Sequence, residues 1–184
     1  MATDTKVSFK RIIKVLAIIM GSFFVLGWSA LLILSCLPAM RAIAWHLRNG
    51  NTVVVEGHTF HAPLLYEVNW DAPKTTVDIV RYPGLIEGAS LVYIVAKGKI
   101  FEIADALKWQ AQLTGIINSR AKPADRFYPA TIHGKQLTFI CVHNDVAGFG
   151  ESFMCHAVGT NLSVSTTASY KYRDEAKAIF ETSR

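Results

Sequence analysis

Residues 137–158 read LTFICVHNDVAGFGESFMCHAV, and this stretch decides the fold class. Leu137, Phe139, Cys141 and His143 alternate with Thr138, Ile140, Val142 and Asn144. Successive side chains on a strand point to opposite faces, so a period of two reads as β structure. Residues 145–151 carry Gly148 and Gly150 and make a bend, after which Ser152 to Val158 returns as a partner strand. Pairing the two runs symmetrically about Gly148 sets 141 against 155, 139 against 157 and 143 against 153. Directly opposed residues have Cα atoms about 4.5–5.5 Å apart, inside the range a disulfide needs. The spacing predicts a Cys141–Cys155 disulfide, whose loop of about 15 residues contributes roughly 3 kcal/mol where native strain is small. Two free buried thiols are the alternative.

Working outward, Gly159-Thr160-Asn161 makes a turn. Leu162, Val164, Thr166 and Ala168 then alternate with Ser163, Ser165 and Thr167, a strand with one wet face. Upstream, Thr52 to Glu56 and Thr59 to Ala62 flank Gly57-His58, which suits a two-residue II′ hairpin. Leu64 to Val68 extends the second of these strands beyond Pro63, which confines that region to an edge or bulge. Asp71 to Lys74 reads as a loop. Thr75 to Tyr82 is β-rich and ends at the turn pair Pro83-Gly84. Ser90 to Ala96, SLVYIVA, is an unbroken apolar run that predicts a central strand buried on both faces.

From Ile100 to Asn118 the period changes. Ile103, Ala106, Leu107, Leu113 and Ile117 recur at helical spacing, an amphipathic helix lying on a sheet, with Trp109 in its core or rim. Arg120 to Pro129 is a polar connection. Near the end Tyr172, Ala176, Ile179 and Phe180 stand at i, i+4, i+7 and i+8, with Asp174 and Glu175 early, where the helix dipole favours acids. The order of hairpin, two strands, helix, three strands and helix makes an α+β domain. Its mainly antiparallel sheet carries an amphipathic helix and a C-terminal helix. That order is similar to the order in PsbP-like domains, a likeness that no motif carries and that transfers no activity.

Ahead of this domain, residues 15–37 read VLAIIMGSFFVLGWSALLILSCL, 23 positions without a charged side chain. At about 1.5 Å per residue they extend roughly 35 Å as a helix, enough to cross a hydrocarbon core of about 30 Å. Lys6, Lys10, Arg11 and Lys14 stand before the span against Asp4 alone, whereas only Arg41 and Arg48 follow it before Lys74. This bias places the N-terminus in the cytoplasm and the rest outside it. Three other readings compete. A cleavable signal peptide has an apolar region of only about 7–15 residues, although Ala42-Ile43-Ala44 offers a cleavage site. A lipoprotein signal ending at Cys36 is poorly served by Leu34. A core helix would show a polar stripe, and none is present. Ala17 and Gly21 form one small-xxx-small pair. After Pro38, Met40, Ile43, Ala44 and Leu47 follow helical spacing beside Trp45, an interfacial segment. The chain therefore divides into a basic cytoplasmic tail (1–14), a transmembrane helix (15–37), an interfacial segment (38–48) and an extracytoplasmic domain (49–184).

The net charge is +5, but four bases against one acid in residues 1–14 supply most of it. Fifteen bases and thirteen acids in the remainder nearly cancel. A nucleic-acid binder needs a basic stripe, and after residue 14 no cluster denser than Lys97-Gly98-Lys99 occurs. The expected partners are the lipid bilayer, through residues 15–37, and an envelope or membrane protein.

Candidate chemistry is sparse. Cys141, His143, Cys155 and His156 have zinc-ligand chemistry, but His156 follows Cys155 directly on a strand and points to the other face. Cys141 with His143 is a possible nucleophile–base pair without an identifiable orienting carboxylate or oxyanion hole, although Asp145 is near in sequence. His58 and His61 read as turn and strand side chains. Ser119-Arg120-Ala121-Lys122 matches Ser-x-x-Lys after a helix rather than at its start. Asn161-Leu162-Ser163 is a glycosylation sequon. No P-loop, dinucleotide fingerprint, His-Glu-x-x-His or EF-hand loop is present, so no cofactor or metal is expected. The sequence supports a membrane-anchored, non-catalytic binding or envelope-assembly module. Its contact surfaces are expected at the 145–151 loop (Asp145, Phe149) and at Tyr66 to Trp70. A structural accessory subunit recognised through its transmembrane helix fits equally, and a hydrolase or thiol enzyme using Cys141 and His143 is the alternative.

Overall fold

The computed structural model describes residues 9–70, 75–81, 89–122, 126–146 and 150–184. Helix α1 spans Phe9–Asn49 and is followed by strands β1 (Thr52–Val55), β2 (His58–His61), β3 (Glu67–Trp70), β4 (Thr76–Arg81) and β5 (Ser90–Ala96). Helix α2 (Ile103–Asn118) precedes β6 (Phe127–His133), β7 (Thr138–Val146), β8 (Gly150–Ala157) and β9 (Leu162–Ala168), and α3 (Arg173–Glu181) ends the chain. The protein is α+β. β1 and β2 form a small sheet, and the other strands form an antiparallel sheet ordered β3-β4-β5-β9-β8-β7-β6. The chain falls into two compact units, one ending at Leu37 and one beginning at Pro38.

In the first unit, α1 is long and apolar enough to cross a membrane, and none of its apolar stretch is buried within the protein. Phe23, Phe24, Leu26 and Leu32 are all more than half exposed. A surface of this kind is suited to lipid rather than water. The Ser22 and Ser35 hydroxyls donate to the carbonyls of Ile18 and Leu32 at 2.9 and 2.8 Å, so neither depends on solvent for a partner.

In the second unit, residues 38–49 remain helical despite Pro38. They do more than the expected interfacial segment. Ala42 and His46 are buried against the domain, and Trp45 packs on its core. His46 places Nε2 2.9 and 3.0 Å from the carbonyl oxygens of Pro63 and Tyr66, and Nδ1 3.0 Å from that of Gly50. Met40, Ile43 and Leu47, on another side of the segment, stay exposed.

One face of the large sheet is the core. Val77, Ile79, Val92, Ile94, Phe139 and Cys155 from the strands meet Val53, Val55 and Phe60 of the β1–β2 hairpin and Ala176, Ile179 and Phe180 of α3 in a single buried cluster. Phe139 and Phe180 meet edge to face, with ring centroids 5.3 Å apart. Alternation of side chains along each strand sets this face, and the spacing of Tyr172, Ala176, Ile179 and Phe180 delivers the helix that closes it, all four being buried.

Several expectations need correcting. The first hairpin pairs Val55 with His58, so its turn is Glu56-Gly57 rather than Gly57-His58. Both residues have positive φ (50° and 82°), the type I′ pattern whose twist matches the strands. Residues 63–66 form a turn closed by the Tyr66 amide on the Pro63 carbonyl, at 2.9 Å, and β3 pairs with β4 instead of prolonging β2. The end of the stretch expected as a polar connection, Phe127 to Pro129, opens β6, with Pro129 inside the strand. That strand lies at the sheet edge, where a missing amide costs no ladder hydrogen bond. On α2 it is Ala106 and Gln110 that are buried, while Ile103 and Leu107 are about half exposed. β5 is not buried on both faces: Ser90, Val92 and Ile94 point inward, and Leu91 and Tyr93 are exposed.

Candidate functional site

The exposed side of β5 belongs to an opening in the second face of the sheet. α2 lies on that face against β6 and β7. Gln110 holds it there, its Nε2 donating to the carbonyls of Cys141 (2.5 Å) and Ala130 (3.0 Å). At the end of α2, Asn118 both donates to the Phe127 carbonyl (2.6 Å) and accepts from the Phe127 amide (2.8 Å). These bonds fix α2 over one side of the sheet, and among the described residues β8, β9 and β5 beside it have no covering helix. Register places His156 beside Ser163 and Met154 beside Ser165, and Tyr93 on the other side of Ser165. Serine side chains are short, so β9 forms the floor of a trough. Trp109 and Leu113 of α2 supply one wall, and the resulting cleft has a volume of about 360 Å³.

His156 is the most constrained side chain in this cleft. Its ring stacks on Phe101 (centroids 3.8 Å apart, planes 15° apart) and meets Trp109 at 4.2 Å. Nδ1 lies 2.7 Å from Ser163 Oγ. The loop carrying Phe101 is tied to the turn before β9: the Lys97 and Phe101 amides donate to the carbonyls of Asn161 and Thr160, each at 2.7 Å, and the Gly159 amide donates to the Phe101 carbonyl at 2.8 Å. Burial first, and then the nearby Lys97 charge, push the imidazole down to about 4. It is therefore neutral at neutral pH.

A serine hydroxyl on an imidazole is the geometry of a nucleophile with its base. Here the base is weak, because the ring resists protonation until the pH approaches 4. Ser163 also sits in a central strand paired on both sides, with Val95 and His156. The neighbouring Leu162 amide is already engaged, donating to Thr160 Oγ1 at 3.0 Å, so it is not free to hold an oxyanion. The arrangement suits holding a ligand better than acyl transfer.

The sites expected from sequence fall elsewhere. Cys141 pairs with Cys155 and Phe139 with Ala157 across the β7–β8 hairpin, and the sulfurs are joined at 2.10 Å with Cα atoms 4.0 Å apart. In this form Cys141 carries no thiolate, so the thiol-enzyme alternative lacks its nucleophile. His143 shares the face of Cys141, stacks on Phe153 at 4.9 Å, and places Nε2 3.5 Å from a Glu151 carboxylate oxygen. His156 lies on the opposite face, and among the described residues no three His, Cys, Asp or Glu side chains form a metal-binding group. The Ser119 hydroxyl donates to the Ile116 carbonyl at 2.8 Å, an ordinary helix-end bond.

Of the expected contact surfaces, Tyr66 must be withdrawn: it is fully buried in the core, and its hydroxyl is pushed up to about 12, chiefly by that burial. Trp70 is 37% exposed at the end of β3. Asp145 is exposed and accepts a hydrogen bond from the Tyr170 hydroxyl. Phe149 and the rest of 147–149 lie outside the described residues, as do 71–74 and 82–84. β4, β5 and β9 separate β3 from β8, so the two expected surfaces do not adjoin.

Sequence reading missed Tyr93, Lys97, Met154 and Ser165 as a group. A signal was present in the serines spaced two apart on the wet face of β9, because short side chains there leave room over the sheet. Comparison with protein-family models, with curated proteins and with solved structures finds no match to the chain.

Proposed function

We propose that the chain is a single-pass membrane protein, N-terminus in the cytoplasm, whose C-terminal domain is a non-catalytic binding module of the cell envelope on the extracytoplasmic side. The observation that carries this reading is the cleft beside α2. It is a concave, largely apolar site with a few fixed polar groups, the usual form of a ligand pocket, and its volume falls within the range of about 300–1,000 Å³ typical of such pockets. The apolar surface of α1 supports the tether. The buried Cys141–Cys155 disulfide supports an oxidising compartment for the domain. The basic residues before the span support the orientation.

A photoreactive benzophenone side chain at Leu113, inside the cleft, tests the reading in the full-length protein in its own membrane. The same group at Gln112, exposed on α2 and not lining the cleft, is the control. Adducts at Leu113 and not at Gln112 are expected. Equal labelling at both positions contradicts a binding cleft. A hydrolase is the second reading, favoured by the 2.7 Å contact of His156 with Ser163. Covalent labelling of Ser163 by a fluorophosphonate supports that alternative, and its absence leaves the binding module.

A further inference from the structure

The cleft combines four properties that together specify an occupant. Its walls are apolar and unevenly soft: Trp109 and Leu113 stand on α2, and Met154 and Tyr93 rise from the sheet. Methionine is unbranched and adapts to irregular hydrocarbon surfaces. The imidazole of His156 is already engaged, stacked on Phe101 and in tilted contact with Trp109. One positive charge, Lys97, stands among the lining residues, and the described residues that line the cleft include no carboxylate. Ser165 adds a hydroxyl on the floor.

Size narrows the class. A methylene takes about the room of a water, whose share of liquid volume is ~30 Å³, so a volume of about 360 Å³ matches one chain of about a dozen carbons. A domain tethered beside a bilayer is also in reach of such molecules, which partition into membranes.

We infer that the cleft binds a single-chain anionic amphiphile, a medium-chain fatty carboxylate, with its hydrocarbon between Trp109, Leu113 and Met154 and its carboxylate at Lys97. The inference rests on the binding reading above and gives it a ligand class. Charge complementarity selects the head group, because a cation or a neutral head leaves the Lys97 ammonium without a counter-charge. Hydrocarbon burial supplies the affinity, since every methylene removed from water favours binding.

The test uses the full-length protein in phosphatidylcholine nanodiscs with three diazirine-bearing ten-carbon probes: a carboxylate, an alcohol and a trimethylammonium. Photolysis and peptide mapping are expected to place the carboxylate label within residues 93–97, 109–113 and 154–165. The carboxylate should label there at least about tenfold more than the trimethylammonium probe at equal concentration, as expected for one charge-assisted contact. Lys97→Gln, at an exposed position, should remove most of that preference while leaving labelling by the alcohol within about twofold. Equal labelling by the carboxylate and trimethylammonium probes, label confined to α1, or an unchanged preference in Lys97→Gln overturns the inference. If the carboxylate fails while benzophenone at Leu113 still forms its specific adduct, the ligand class is wrong and the cleft remains a binding site. If both fail, the binding reading falls with it.

Discussion

The two faces of the seven-stranded sheet are built from alternate residues of the same strands, and they are finished differently. On β9, Leu162, Val164 and Ala168 enter the core, while Ser163, Ser165 and Thr167 face the other way. On β5, Val92 and Ile94 are fully buried, while their neighbours Leu91 and Tyr93 are about 40% exposed. The inner face is closed by the β1–β2 hairpin and α3, whereas among the described residues the outer face carries α2, packed mainly on β6 and β7. The lesson is a division of labour within single strands. One register of residues holds the fold, and the other is released from that duty and carries the cleft.

The comparison breaks most easily at large side chains. Phe139→Ala, on the inner face, should destabilise the protein by about 4 kcal/mol, the usual cost of emptying a buried aromatic site. Tyr93→Ala, on the outer face, should cost less than about 1 kcal/mol, since the ring is already partly in water. Thermal unfolding of the full-length protein in mild detergent distinguishes them, and equal losses would erase the difference between the faces. Next in size is the disulfide on the inner face: Cys141→Ser/Cys155→Ser, or reduction of the native protein, should cost about 3 kcal/mol. Wild type should show a lower melting temperature in reductant, and the double variant should show none of that shift.

Acid titration probes the outer face. The folded-state value for His156 is depressed from 6.5 to about 4, so between those values the unfolded chain binds the proton that the folded chain refuses. Above about pH 6.5 the group has no effect. Stability then falls as the pH drops through this window, by up to about 3 kcal/mol, and levels off below about 4. The difference between wild type and His156→Gln, followed from pH 8 to about pH 4, isolates this contribution. A flat difference would mean that the ring is not held neutral beneath Phe101 and Trp109. The smallest effect lies in the β1–β2 turn, where Glu56 occupies φ 50°. Glu56→Asn should raise stability by about 0.5 kcal/mol, because Asn tolerates the left-handed region better.

What could be read from sequence follows the strength of local periodicity. The β7–β8 register and α3 are long, regular patterns, and pairing about Gly148 places every partner from Phe139 to Asp145 where the structure has it. The β1–β2 turn slipped by one residue because Glu56-Gly57 lacks the Asn or Asp that usually signals a I′ turn. The apolar run of β5 resembled a doubly buried strand because Leu91 and Tyr93 are as apolar as Val92 and Ile94; only the partial coverage by α2 separates them. β6 was hidden by Pro129, which an edge position tolerates. Tyr66 looked like a loop aromatic, yet the turn held by His46 carries it into the core. The cleft unites β5, β8, β9 and α2, and no local pattern announces which strands will be neighbours.

The most direct test of the account is reagent access to the cleft in living cells. A Leu113→Cys protein in a Cys36→Ser background is expected to react with a membrane-impermeant maleimide in intact cells, because the proposed orientation puts the open cleft on the extracytoplasmic side. Labelling that appears only after the cells are permeabilised would contradict the account.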